Sequence, residues 1–395
     1  MQYNGDSGMV VNTPPDWMHK ADAAALPLVS VVIPAYNNAA TIAEALRSVA
    51  AQSYANGEVI VVDDGSTDAL ADAVRGSGVE CRLIRQANAG PAAARNHGIG
   101  KARGEWIAFL DGDDVWMPER LRIQFELVRQ YPDAAMVCGR TAPCGVAEAG
   151  GRRPEVRAAE IRGQRPEARA TEAKDQRSER QRAEAGGQSG RDQRAEWQRP
   201  VDEETIEQRG AGIGNPSPDA RRLQVDEFLV GNPVATSTVL VRKETVIAVG
   251  GFDESFRGPE DYDLWIRIAA RFPIVKTRRP LALYRHRPGS LSLDDRTFLP
   301  QVLGVLRKAY GPGGALRGRR GRRPAMAYQY LCGAWAAMGR GDAAASWSLF
   351  FRSFLFWPFS FPAQKDIALR WGRLKLAWVL LKQGARRGQG GVSCS

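Results

Sequence analysis

Between residues 29 and 138, short apolar runs alternate with segments whose apolar residues recur at helical spacing. Val29 to Pro34 is rich in β-branched residues and free of charge, the pattern of a strand buried on both faces. Further strands are predicted over 58–62, 81–85, 105–110 and 134–138. Between them, Ile42, Ala45, Leu46 and Val49 share one helical face, and Thr41 and Glu44 have the spacing of a capping box. Pro91 stands in the favoured first-turn position of another helix. Pro118 opens a third, with Leu121, Phe125 and Val128 on one side. Such alternation predicts an α/β fold built on a mostly parallel, doubly wound sheet.

The pattern breaks at about 145 and resumes at about 222–225. The intervening stretch is dominated by Arg, Glu, Ala, Gly and Gln and has almost no aromatic or β-branched residues. It buries too little apolar area to offset the entropy of ordering, so a disordered or loosely helical insertion is expected. A partner-binding segment and a tolerated surface-loop insertion remain two readings of it. Beyond it, 236–241 reads as a strand, 260–272 as an amphipathic helix and 281–284 as a short strand. Residues 325–338 and 342–355 fit a helical hairpin about Gly339-Arg340-Gly341. The expected organisation is a polar lead-in over 1–27, a core over 28–292 interrupted at about 145–222, and a helical C-terminal region over 293–395.

Composition narrows the class. Of 395 residues, 44% are hydrophobic and 25% charged, ordinary for a globular chain with a large core. The formal charge is +11, and much of the arginine lies over 152–222 and 317–323, so net charge says little about a site among the βα segments. No zinc spacing, basic zipper or aromatic RNA-binding signature accompanies it, so nucleic acid is not an expected partner. The five cysteines form no CxxC pair, and the polar MQYNGDSG start shows no signal peptide; a cytoplasmic location is the expectation. The aromatic stretch 347–361 reads either as packing of the terminal helices or as an interfacial contact with the inner face of a membrane.

The polar clusters fall where doubly wound sheets bind ligands, beyond the carboxyl ends of the strands. Asp111-Gly112-Asp113-Asp114 follows the fourth strand and suits Mg²⁺ or Mn²⁺, which prefer carboxylate oxygens; it also suits a solvated acidic turn. Asp63-Asp64 follows the second strand, where a carboxylate can accept from a base or ribose, while Ser66, Thr67 or Asp68 serves as a helix cap. Arg95 lies one turn into the helix after Gly90-Pro91, a place for phosphate or for simple packing. Glu260-Asp261 opens a later helix, as a dipole complement or as a general base.

Five segments in order resemble a family 2 glycosyltransferase of the GT-A fold: VSVVIPAYN (29–37), VIVVDDGSTD (59–68), NAGPAAARNHGI (88–99), EWIAFLDGDDVW (105–116) and GGFDESFRGPEDYDLWIRI (250–268). The resemblance implies a Rossmann-like sheet flanked by helices and a nucleotide-sugar donor, with a UDP-sugar favoured. It implies that Asp64 contacts the base in a pocket lined by Pro34, Ala35 and Tyr36. It also implies that Asp111 and Asp113 form a DxD motif, Asp113 being the direct ligand of Mg²⁺ or Mn²⁺, and that Asp261 is the base of an inverting transfer. Arg95 and Asp111 are expected on the donor side. A glycan or lipid-linked hydroxyl is the expected acceptor. Two departures matter. His286 stands one place earlier than in the tyrosine-arginine-x-histidine pattern of relatives, leaving Arg285 or Arg287 for the diphosphate. Gln364 to Arg370-Trp371 also lacks the spacing of processive synthases, so single-sugar transfer is expected.

Two rival classes are a catalytically silent protein of the same fold and a nucleotidyltransferase. The second usually needs a glycine-rich loop with a lysine near the first strand, and VVIPAYNNAAT has neither. Deleting residues 150–218 is expected to leave a folded, active core by circular dichroism and turnover; global unfolding would make the segment structural.

Overall fold

The computed structural model describes residues 26–143, 219–229, 231–285, 295–359 and 373–380. The lead-in over 1–25, most of the insertion, Cys144, Cys394, His286, Arg287 and the 364–371 segment lie outside the described residues. Nine strands form one sheet: β1 (Val29–Ala35), β2 (Gly57–Asp63), β3 (Arg82–Arg85), β4 (Trp106–Phe109), β5 (Val115–Trp116), β6 (Met136–Pro143), β7 (Ala220–Leu223), β8 (Leu240–Arg242) and β9 (Ile274–Tyr284). Their order is β3-β2-β1-β4-β8-β6-β9-β5, with β7 beside β9. The helices are α1 (Ile42–Ala50), α2 (Leu70–Arg75), α3 (Pro91–Lys101), α4 (Arg120–Gln130), α5 (Lys243–Ala248), α6 (Glu260–Ala269), α7 (Asp295–Tyr310), α8 (Arg322–Gly339) and α9 (Ala343–Phe356).

The expected α/β architecture is present. β3, β2, β1 and β4 run parallel, as do β6 and β9, while β8 joins the two groups through antiparallel pairs with β4 and β6. Every residue of β1 is buried, as its apolar run requires. Its alternating side chains divide between two cores: Val32 packs on the α3 side, Val29, Val31 and Ile33 on the α1 side. The α3 contact is close, because a Cβ on Gly98 would stand 2.4 Å from Val32 Cγ1. An aromatic trio, Phe109, Phe252 and Trp265, ties β4 to α6 on the same face, with ring centroids 5.5 to 6.2 Å apart.

Several local expectations are corrected. The Thr41 capping box is not formed: Thr41 Oγ1 donates to Gly112 O at 2.8 Å, and the Glu44 carboxylate pairs with Arg285. The α4 helix begins at Arg120, two residues after Pro118. The 236–241 strand is instead a 3-10 turn over Thr236–Thr238 followed by the short β8. Side chains satisfy the carbonyls of that turn: Trp116 Nε1 donates to Ser237 O, Gln124 Nε2 to Thr238 O and Arg120 Nη2 to Val239 O. A β-branched run therefore turns without leaving buried acceptors unpaired. The 281–284 strand is the end of the eleven-residue β9, and the pattern resumes at β7, inside the interval assigned to the insertion. The helical hairpin is present as α8 and α9, turning at Gly341 with φ of 80° and capped by Asp342, which accepts from Ala345 N at 3.0 Å.

Candidate active site

The carboxyl ends of β1, β2 and β4 share one crevice because the strands are parallel and in register, with Ala35 opposite Asp63 and Val32 opposite Phe109. The loops leaving them are stitched together by side-chain oxygens. Asn37 adopts a left-handed conformation (φ 53°), which asparagine tolerates. Its N–H donates to Ser66 Oγ at 3.0 Å and its Oδ1 accepts from Thr67 N at 2.9 Å. Ala39 N donates to Asp68 Oδ2 at 2.8 Å, and Asp63 Oδ1 accepts from Ser66 N at 2.8 Å. Gly112 packs closely on this loop, since a Cβ there would lie 3.1 Å from the Asn38 side chain.

Asp64 is only 3% exposed. Its Oδ1 accepts from Gln86 Nε2 (2.8 Å) and Ala89 N (2.9 Å), and its Oδ2 from Gly90 N (2.8 Å). It thus fixes the loop that leads into α3. With about four acceptor positions on a carboxylate, one remains on Oδ2. Pro34 and Ala35 are buried within the sheet, whereas Tyr36 is 49% exposed at the crevice.

Arg95 is the hub of the site. It is 5% exposed, and its Nη1 donates to Glu260 Oε1 at 2.6 Å while Nη2 donates to Asp111 Oδ1 at 2.7 Å. Glu260 is also buried, and its Oε2 accepts from Gly258 N at 2.8 Å. Burial opposes the charge on Arg95, but Asp111 and Glu260 outweigh it and hold the guanidinium above its ordinary pKa. One side chain from α3 therefore joins the loop after β4 to the first turn of α6. Each terminal nitrogen of Arg95 donates one N–H to a carboxylate and carries a second.

Asp261 follows Glu260 and is half-buried. Its Oδ2 accepts from Asn232 Nδ2 and Thr236 Oγ1, each at 2.9 Å, and its Oδ1 from Tyr262 N at 2.6 Å. Burial of the carboxyl, and then the charge of Glu260, push it up to about 7. Across the site, Asp114 Oδ2 accepts from Ser237 Oγ at 2.6 Å and Oδ1 from Arg285 N at 3.1 Å. Burial and then the charge of Asp111, with a smaller contribution from Asp113, raise Asp114 to about 7. Arg285 Nε donates to Asp113 O at 3.0 Å, so this arginine lies beside the acidic loop. Among the described residues no three His, Cys, Asp or Glu side chains form a metal cage. Two carboxylates in a locally negative loop nevertheless fit Mg²⁺ or Mn²⁺, which commonly bind through one or two carboxylates plus substrate phosphates.

Comparison with known proteins places this geometry in a family. The model of Glycosyl transferase family 2 matches residues 30–195, and that of Glycosyltransferase like family 2 matches 223–310. The chain belongs to glycosyltransferase family 2. Over 103 residues it is 48% identical to the succinoglycan biosynthesis protein ExoO of Rhizobium meliloti, covering 26% of this chain and 30% of that protein. An uncharacterized glycosyltransferase of Rickettsia conorii, RC0461, is 39% identical over 104 residues, covering 26% of this chain and 17% of the relative. The match thus spans less than a third of either curated relative. Among solved structures, S. aureus TarS 1-349 in complex with UDP has a TM-score of 0.50 at 15% identity, covering 91% of each chain. Mannosyltransferase PcManGT from Pyrobaculum calidifontis, in complex with GDP-Man and Mn²⁺, has a TM-score of 0.52 at 18% identity, covering 92% of this chain and 81% of that one. At such identities the likeness shows a shared fold of the GT-A type.

Within this family 2 chain, Asp111 and the Glu260-Asp261 pair meet through Arg95. Asp64, Pro34, Ala35 and Tyr36 occupy the neighbouring strand ends. Sequence reasoning missed Ser237, Thr236 and Asn232, which hold Asp114 and Asp261. They come from a stretch read as strand and loop, and hydroxyls and amides carry no local signal of a distant carboxylate. His97 reaches the site through Gln86: its Nδ1 lies 2.8 Å from Gln86 Oε1, and Gln86 Nε2 donates to Asp64. Replacing Arg95 by Met strands the buried Glu260 charge and is expected to cost about 3–5 kcal/mol in urea unfolding. A variant as stable as the parent would show that the clamp does not hold α6.

Proposed function

We propose that the chain is an inverting glycosyltransferase that moves one sugar from a nucleoside-diphosphate sugar, with a UDP-sugar favoured, to a hydroxyl of a glycan or a lipid-linked acceptor. The observation that carries this reading is the Asp111–Arg95–Glu260 bridge, which links the acidic loop after β4 to the first turn of α6, where Asp261 stands. The solved neighbours are described as complexes with UDP and with GDP-Man and Mn²⁺, and the ExoO relative is named for succinoglycan biosynthesis. These names support a nucleotide-sugar donor and a polysaccharide or cell-envelope product.

In this reading the nucleotide lies over Tyr36, above the floor made by Pro34 and Ala35. The remaining acceptor position of Asp64 meets a base N–H. Asp113, with Asp111, would hold Mg²⁺ or Mn²⁺, and the cation would offset negative charge on the diphosphate. Arg95 acts on the donor as a positioning residue, through Asp111. Arg285 supplies positive charge beside Asp113. The acceptor oxygen attacks the anomeric carbon, its proton passes to Asp261, and the bond from that carbon to the diphosphate oxygen breaks. Configuration inverts, and no covalent enzyme intermediate is needed. A carboxylate near 7 suits a general base at neutral pH. A catalytically silent protein would gain nothing from keeping a carboxyl whose ionisation its surroundings oppose, which disfavours that alternative.

Two outcomes test the reading. Below about 7 the Asp261 carboxyl is protonated and unable to accept, so turnover should fall with an inflection near that pH. Asp261→Asn should bind donor almost normally, lose at least ~10²-fold in kcat and lose that inflection; unchanged turnover refutes the assignment. Excess chelator should abolish turnover, and Mn²⁺ or Mg²⁺ should restore it; full activity in chelator removes the metal role of Asp113.

A further inference from the structure

The C-terminal hairpin buries one apolar cluster, Leu331, Phe350, Leu376 and Leu380, and keeps further apolar side chains exposed. The face of α9 turned toward α8 carries Ser346, Phe350 and Ser353. Ser346 Oγ donates to Ala334 O and Ser353 Oγ to Ala327 O, both at 2.8 Å. The opposite face presents Phe351 (57% exposed) and Leu355 (84%), with Phe354 and Phe356 partly exposed at its flanks beside Phe350 and Tyr330, and Phe359 follows at 65%. The neighbouring helical residues 373–380 add exposed Leu374 and Trp378. Small residues and interhelical hydrogen bonds inside, with aromatic and aliphatic side chains outside, is the arrangement of helices in contact with lipid rather than water. Monomeric soluble proteins rarely expose so continuous an apolar patch without a partner.

Charge identifies that partner. From 317 to 359 the sequence has seven arginines and a single acidic residue, Asp342. Arg317, Arg319, Arg320, Arg322, Arg323 and Arg352 are all exposed. Arginine and apolar groups meet directly in a cleft of about 350 Å³ lined by Arg322, Arg323, Leu355 and Phe356. Phosphate would sit against the guanidinium groups there, with acyl chains beside Leu355. No helix among the described residues is long and apolar enough to cross a membrane. At 14 residues, α9 has the length of an interfacial segment.

We propose that the outward face of α9, together with the 317–323 arginine cluster, docks on the surface of an anionic lipid bilayer. The aromatic side chains enter the headgroup boundary and the arginines engage lipid phosphates. This surface is independent of the donor-site reading and goes beyond it: bilayer docking would bring the enzyme to carrier-linked acceptors.

Vesicle co-sedimentation of the full chain tests the proposal. The chain should pellet with vesicles of equal parts phosphatidylcholine and phosphatidylglycerol, and at least ~10-fold less with phosphatidylcholine alone. Replacing Phe351, Phe354 and Leu355 together by Ser should lower partitioning by ~10-fold or more while keeping the parental circular dichroism and the transfer rate to a soluble acceptor. Arg320→Glu, Arg322→Glu and Arg323→Glu in one chain should weaken binding to the anionic vesicles without touching the apolar face. The proposal is overturned if the parent stays in the supernatant with anionic vesicles, or if both variants pellet as the parent does. It is equally overturned if the parent is a dimer in lipid-free buffer, the serine variant is a monomer, and neither binds vesicles.

Discussion

A single buried guanidinium holds this site together. Arg95 projects from α3, whose seating against β1 depends on the absence of a side chain at Gly98. Its two terminal nitrogens reach Asp111 on one side and Glu260 on the other, residues 16 and 165 positions away in sequence. Both the arginine and Glu260 are almost fully withdrawn from water, where an unmatched charge would be costly. The pairing therefore fixes where α6 begins, and the start of α6 fixes where Asp261 lies. The same Glu260 charge that anchors the helix helps raise Asp261 toward neutrality, so positioning and tuning come from one set of contacts.

Around this hub the loops gain rigidity from side-chain oxygens bonded to backbone N–H groups. Asp63, Asp64, Asn37 and Asp68 each accept from the main chain of a loop at the strand ends. Polar residues that read as generic turn formers act here as cross-braces between turns. Tyr36 is exposed at the strand ends, and Asp111 and Asp113 of the β4 loop are partly exposed. A donor would thus meet a preformed surface, and binding would spend less free energy on ordering it.

The parallel half of the sheet was legible because burial on both faces demands continuous apolar runs, and β1, β2 and β4 have them. The acidic loops were legible by position, since each follows such a run. The partners of these acids were not. Nothing near Arg95 distinguishes a phosphate ligand from a bridge to Glu260, because the second carboxylate arrives only when α6 packs. The turn at Thr236 was misread for a related reason: its β-branched residues favour a strand locally, but Trp116, Gln124 and Arg120 supply donors from elsewhere and stabilise a turn. The hairpin of α8 and α9 was predictable from its glycines. Its outward aromatic face was not, because composition does not say which side of a helix faces its neighbour.

The central claim is that the β4 acidic loop and the start of α6 form one donor cleft. A crystal structure of the chain with Mn²⁺ and UDP tests it most directly. The account predicts density for the metal on the Asp113 carboxylate, the diphosphate against it, and Asp261 facing the open side of the terminal phosphate. Nucleotide bound away from the ends of β1, β2 and β4, or Asp261 screened from the diphosphate, would contradict it.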